Sequence, residues 1–265
     1  MTTGIAARRR GIKILSGGTD ERDGVRGAWW RSTFEERIAL TSRAFGASGL
    51  EDETVPLALA DPDGDVADAC ILNLAPCQGR AEWLHIGLGL SQPHAPRAPA
   101  SSWEICIRTR DEGEWSGLLL HDLLLHHVQA AEHPREGEGF PIGFYDSGFD
   151  PRLCLLFDNP PQRSFRRTSA MRGLVLWRDL AHRSAFETRT GRFRLLTGTT
   201  VTQGELELGE TASPAHLMLW LVRMGVGQVS DPDRGCLLDE PGAMDEWEEI
   251  SGSTEVQAMR DLSVS

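Results

Sequence analysis

The chain lacks paired cysteines. Its five, Cys70, Cys77, Cys106, Cys154 and Cys236, are odd in number and scattered, with no C-x-x-C pair. Neither a disulfide framework nor a structural zinc site is signalled by that spacing. Cys106 and Cys154 lie inside apolar runs, where a free thiol serves as a small buried hydrophobe. No apolar run approaches the roughly 20 residues that a membrane-spanning helix needs, and no apolar core follows the N-terminal arginines as a secretory signal would require. The cytoplasm is the expected compartment. An excess of positive charge is also missing: 27 Lys and Arg stand against 39 Asp and Glu, for a formal charge of -12. Binding to nucleic acid or to anionic lipid rests on cations, and only Arg8, Arg9 and Arg10 with Lys13 are concentrated. Both partner classes are disfavoured. A basic protein partner suits the charge better, because complementary fields speed encounter and suppress wrong partners.

Chemical motifs are equally scarce. His121, His126, His127 and His133 crowd one segment, but His121 to His126 is a step of five and His126 and His127 are adjacent, so they diverge around a helix instead of sharing a face. No metal is expected there. Gly87-Leu88-Gly89 would place the third glycine of a dinucleotide fingerprint at Gln92, with Pro93 where the phosphate-binding helix should start. The same Pro93 closes the frame of a nucleophile elbow at Ser91. Asp61, Asp63, Gly64 and Asp65 have the composition of a calcium loop without its later glycine or terminal bidentate Glu. No cofactor is expected.

What is present is the pattern of an α+β domain. Residues 1–28 read as a tail of Gly, Ser and charge, 29–238 as the folded body, and 239–265 as an acidic tail carrying Asp239, Glu240, Asp245, Glu246, Glu248 and Glu249. Within the body, Phe34 to Phe45 suggests a helix with Phe34, Ile38, Leu40 and Phe45 inward. Strands are expected at 55–59, 69–74, 83–90, 153–157, 174–177 and 193–201, with a proline-rich loop at Pro93, Pro96 and Pro99. Trp103 to Arg110 is the clearest strand, with Trp103, Ile105 and Ile107 alternating against Glu104, Cys106 and Arg108. That period of two predicts one buried and one exposed face. Ser116 is a candidate cap for a helix to Ala131 with Leu120, Leu124 and Val128 on one side. Thr202 and Glu205 have capping-box spacing. Ser213-Pro214 is an N-cap with proline at the first turn, followed by an apolar stripe of Leu217, Trp220, Leu221 and Met224. A mixed, largely antiparallel sheet flanked by amphipathic helices follows from this order.

Four stretches, in order, resemble the Suppressor-of-fused family. Glu82-Trp83-Leu84-His85-Ile86-Gly87-Leu88-Gly89-Leu90-Ser91 is similar to its aromatic strand ending in Gly-Leu-Ser. Trp103-Glu104-Ile105-Cys106-Ile107-Arg108 is similar to its Phe-Glu-Leu-Thr-Phe-Arg strand. Trp115 with the Leu-rich helix comes next, then Leu195 to Thr202 with Glu205-Leu206 and the helix from Ser213. Asp231-Pro232-Asp233-Arg234 resembles its closing Asp-x-x-Arg turn. The resemblance spans residues 40 to 240. Gly204 departs from it, standing where an acidic residue is usual, and so does the loop at 92–100. It implies a non-enzymatic protein-binding domain. The animal protein holds a transcription-factor peptide between two domains, and no second domain is seen here. Bacterial members of this size are proposed immunity proteins against polymorphic toxins, so a toxin-blocking protein is the expectation and a transcription-factor regulator an alternative.

Glu104 and Arg108 on the outer face of their strand, together with His85 and Asp158, are the candidate partner contacts. A rival reading makes Glu104, Asp158 and His85 the acid–base groups of a hydrolase, which requires them to converge in space. The ordinary reading of such groups is a charged, solvated sheet face.

Overall fold

A computed structural model describes residues 35–46, 53–60, 66–91, 103–130, 137, 139–141, 169–180, 185–189, 191–253 and 255–256. Helix α1 covers 35–44. Strands β1 (Glu53–Ala60), β2 (Val66–Leu74), β3 (Trp83–Leu88) and β4 (Trp103–Thr109) follow, then helix α2 (Glu114–Ala130) and a short β5 (Gly139–Pro141). Strands β6 (Met171–Arg178), β7 (Ala185–Thr188) and β8 (Gly191–Thr202) lead into helices α3 (Gln203–Thr211) and α4 (Pro214–Arg223). A two-residue β9 (Val229–Ser230), a 3-10 turn (Leu237–Asp239) and helix α5 (Ala243–Ser251) close the described chain.

The strands form one mixed sheet in the order β1-β2-β3-β4-β8-β6-β5, with β7 paired to β8 and β9 to β4. The pairings are antiparallel except where β4 meets β8 and β9. Where the β4–β8 ladder ends at Ile107 opposite Gly198, β9 takes over as the partner of Arg108 and Thr109. The Ser230 hydroxyl bridges that break, accepting from the Thr200 N–H at 3.0 Å and donating to the Gly198 carbonyl at 3.2 Å. Buried backbone groups are thus satisfied across the switch.

Helices cover both faces. On one, α2 lays Trp115, Leu120, Leu123 and Leu124 on Ile71, Ile105, Ile107, Leu174, Leu176 and Leu196. On the other, two clusters sit side by side. Phe45 at the end of α1 joins Leu72, Leu84, Ile86, Cys106, Phe186 and Phe193, while α3, α4 and α5 pack Leu217, Trp220, Trp247 and Ile250 on Val175, Trp177 and Val201. The period-two reading of β4 therefore needs correction. From Glu104 to Thr109 every residue is buried, because the face expected to meet water is roofed by α1 and the β7–β8 aromatics.

The two best-marked helix starts form as their residues dictate. Thr202 Oγ1 accepts from the Glu205 N–H and Glu205 accepts from the Thr202 N–H, completing the capping box. Ser213 Oγ accepts from the His216 N–H, with Pro214 in the first turn. Helix α2 instead begins two residues before Ser116, whose hydroxyl donates to the Gly113 carbonyl. Residues 243–251, placed in the acidic tail by sequence, are a helix packed on the body through Ala243, Trp247 and Ile250. Trp220 Nε1 donates to the Ala243 carbonyl at 2.9 Å, and its ring meets Trp247 edge-on at 6.0 Å. The expected strand at 153–157 and the proline-rich loop lie outside the described residues.

Candidate functional site

Of the four candidate contacts, His85, Glu104 and Arg108 are described, and none of these three is on the surface. Glu104 is 0% exposed. Its carboxylate accepts from the backbone N–H groups of Gly89, Leu90 and Ser91 at 2.9, 2.9 and 3.1 Å, and from Ser91 Oγ at 2.6 Å. Arg37, 2% exposed, completes the set with an ion pair at 2.9 Å. The same guanidinium donates to Ser91 Oγ at 2.5 Å and to the Ser91 carbonyl at 3.1 Å, and lies over the Phe193 ring at 5.1 Å. Buried charge persists only when paired and hydrogen-bonded in this way. Glu104 is a tie between α1, the turn after β3, and β4.

Arg108 is buried too, in an ion pair with Asp179, to which Thr197 Oγ1 also donates at 3.3 Å. His85 projects to the opposite side of the sheet. It stands directly across from Ile107, and residues facing each other in an antiparallel pair share a face. Its ring nitrogens lie 2.8 Å from Asn73 Oδ1 and 3.0 Å from Thr109 Oγ1. Burial, aided by the charge of Arg80, pushes its pKa down from 6.5 to about 4. The ring is neutral near pH 7.

Glu104 alternates with Ile105 along β4 and so points away from His85. A catalytic pair of Glu104 and His85 is excluded by the thickness of the sheet. Asp158 lies outside the described residues. The Cys70 and Cys106 thiols are not poised as nucleophiles either: burial raises both to about 12, far from the thiolate that a nucleophile needs.

A further buried carboxylate is no part of the sequence-predicted site. Glu205, the N3 residue of α3, also takes a two-pronged ion pair from Arg234 at 2.6 Å on each oxygen, and the Leu237 N–H at 2.8 Å. Arg234 donates onward to the Thr200 carbonyl at 3.0 Å. The capping box and the Asp-x-x-Arg turn are thereby one structure. Gly204 has a local reason as well: a Cβ there would come within 2.9 Å of Leu238 Cδ1.

The surface feature that remains is charge. Residues 203–256 hold twelve Asp and Glu against two Arg. Both arginines are engaged, Arg234 as described and Arg223 with Glu246, Glu249 and Glu255 at 2.6, 3.0 and 2.7 Å. Glu207, Glu210, Asp233, Asp239, Glu240, Asp245, Glu248, Glu249 and Glu255 are exposed. The α3–α5 module therefore presents a strongly acidic exterior.

No family model matches the chain, and no curated protein matches it. Solved structures do. The crystal structure of Drosophila Suppressor of fused superposes with a TM-score of 0.58 at 15% identity, over 82% of this chain and 54% of that one. The Sufu in a crystal structure of a Sufu–Fu complex gives 0.58 at 16%, over 81% and 96%. A SUFU homolog from Neisseria gonorrhoeae FA 1090 gives 0.54 at 14%, over 78% and 97%. The chain spans about half the length of the Drosophila protein. Its fold is the Suppressor-of-fused fold, an α+β domain with a mixed, largely antiparallel sheet.

Proposed function

We propose that this chain is a non-enzymatic protein-binding domain of the immunity type, which binds and blocks a basic toxin domain in the cytoplasm. The segregation of charge carries the reading. Nearly all of the net negative charge of the chain resides on α3–α5 and the turns between them, and the cations within that module are locked in ion pairs. Such a surface attracts a basic polypeptide over distance and repels nucleic acid and anionic lipid. A toxin domain whose own groove accepts a polyanion would be occluded by it.

Two further observations support a binding role over chemistry. Two of the groups that a hydrolase would need, Glu104 and His85, are buried on opposite sides of the sheet and held by structural partners. The fold is also shared with a protein crystallised in complex with another, Fu.

Capture of the chain with its bound proteins from native cells, followed by titration of the recovered partner, tests this. A basic partner is expected, with affinity that falls as salt rises. Replacing Asp245, Glu248 and Glu249 by Lys should weaken binding by roughly tenfold or more while the fold stays intact. An acidic partner, or affinity indifferent to both salt and charge reversal, overturns the reading.

A further inference from the structure

Helix α1 is attached differently from the other described helices. Its sheet-facing positions are Arg37, Thr41 and Phe45, spaced i, i+4 and i+8, whereas Ile38 and Leu40 are only partly buried. Thr41 satisfies its own hydroxyl by donating within the helix to the Arg37 carbonyl at 2.7 Å. Among the described residues, the fully buried part of the helix's grip on the sheet is the Arg37 guanidinium on Glu104 and Ser91 and Phe45 against Phe186 at 6.2 Å, with Ile38 and Leu40 packed at the edge of the same cluster. Two weaker ties are added at the ends, Glu36 with Arg189 at 3.2 Å and the Cys77 thiol with the Phe45 carbonyl at 3.3 Å.

We infer that α1 is a strap that opens without unfolding the sheet, and that it occupies the docking groove of an arginine-bearing partner helix. The proposal rests on the protein-binding reading and adds a second surface to it. A ten-residue helix has little stability of its own, and a buried ion pair contributes little net stability because desolvation opposes attraction. Elements held in this way open first, while core strands open only with the whole molecule. When α1 leaves, Glu104 keeps its three backbone N–H donors and Ser91 Oγ, so the carboxylate stays in place. Around it lie Phe186, Phe193, Leu72 and Ile86. The groove then offers a fixed anion ringed by aromatic and aliphatic side chains. A partner that fits it carries an arginine with a small residue four positions on and an aromatic eight positions on, as α1 does. Helix-in-groove binding reads such spaced anchors, and arginine is suited to a carboxylate beside an aromatic face.

Hydrogen exchange on the intact chain, followed by peptide binding, tests the strap with no outside partner, so its failure is separate from failure of the toxin-binding reading. Amides of 38–45 are expected to exchange at least roughly tenfold faster than those of β3 and β4. A labelled peptide of residues 35–46 should bind the intact chain saturably, and the same peptide with Arg37→Ala should bind roughly tenfold more weakly or worse. The variation is in the peptide, so folding of the protein is never in question. Exchange of α1 only in step with the sheet overturns the proposal, as does equal binding of the two peptides or binding by neither.

Discussion

Among the described residues two buried glutamate–arginine pairs stand out, and they hold their helices in different ways. Glu205 and Arg234 lie under the α3–α5 module, where the ion pair is backed by Leu217, Trp220, Trp247 and Ile250. Gly209 lets α3 and α4 approach so closely that a Cβ there would stand 2.7 Å from Leu217 Cδ2. Glu104 and Arg37 lie under α1, where Phe45 is the one deeply buried apolar side chain that the helix end contributes. The same pair of functional groups is therefore a keystone in one place and a clasp in the other. Apolar area decides which, since hydrophobic burial supplies most of the net stabilisation and a buried ion pair contributes mainly register.

The sharpest way to break the comparison is Arg234→Ala. It strands a fully buried Glu205 carboxylate with only the Thr202 and Leu237 N–H groups. A loss of about 3–5 kcal/mol is expected, as for one partner removed from a buried pair, read as a shift of the whole urea transition. A local effect confined to α3 would show that the module is not a keystone.

Next in size is acid. His85 belongs to neither pair, so it reports on the sheet beneath both. Its folded pKa of about 4 lies below the ordinary 6.5, from burial first and Arg80 second. Between those values the unfolded chain binds a proton that the folded chain refuses. Stability is thus complete above pH 6.5 and falls as the pH drops towards 4, by roughly 3 kcal/mol in all. His85→Gln should flatten that part of the stability–pH curve. An unchanged slope would mean that the ring is not held neutral by the fold.

Arg37→Ala ranks third. Glu104 keeps four of its five donors, so a loss of about 1–3 kcal/mol is expected, in the range of an unmade bond to a charged group. The change should fall on exchange protection of α1 before it reaches the urea midpoint. A loss as large as that of Arg234→Ala, spread over all amides, would make the two pairs equivalent.

Local features were legible in sequence and long-range ones were not. The capping box at Thr202 and the proline-led start of α4 follow from residues three apart. Their stripe of Leu217, Trp220 and Leu221 is buried as its spacing demands. The resemblance to Suppressor of fused identifies the fold and includes both Glu205 and Arg234, yet the pairing of those two spans 29 positions and nothing local encodes it. Alternation in β4 separated Glu104 from Ile105 correctly but could not say what covers each face. For that reason alternation alone assigns Glu104 and Arg108 to an exposed face. In α1, Ile38 and Leu40 drew the apolar face away from Arg37. In α5 a signal did exist: Ala243, Trp247 and Ile250 recur at i, i+4 and i+7, a narrow stripe masked by the carboxylates around it.

The smallest effect expected is that of Thr202→Ala, and it separates the parts of the keystone. The hydroxyl accepts from the Glu205 N–H at 3.3 Å, one of the donors at the start of α3 that no helical carbonyl can reach. Alanine removes that acceptor but leaves the Thr202 N–H on Glu205 and the two bonds from Arg234 in place. A cap of this kind contributes about 1 kcal/mol, well short of the effect of Arg234→Ala. If the urea midpoint moves by that amount, the ion pair is the principal fastening and the cap an auxiliary. If Thr202→Ala matches Arg234→Ala, the cap positions Glu205 for its arginine, and the two are one cooperative unit whose double variant costs no more than either change alone.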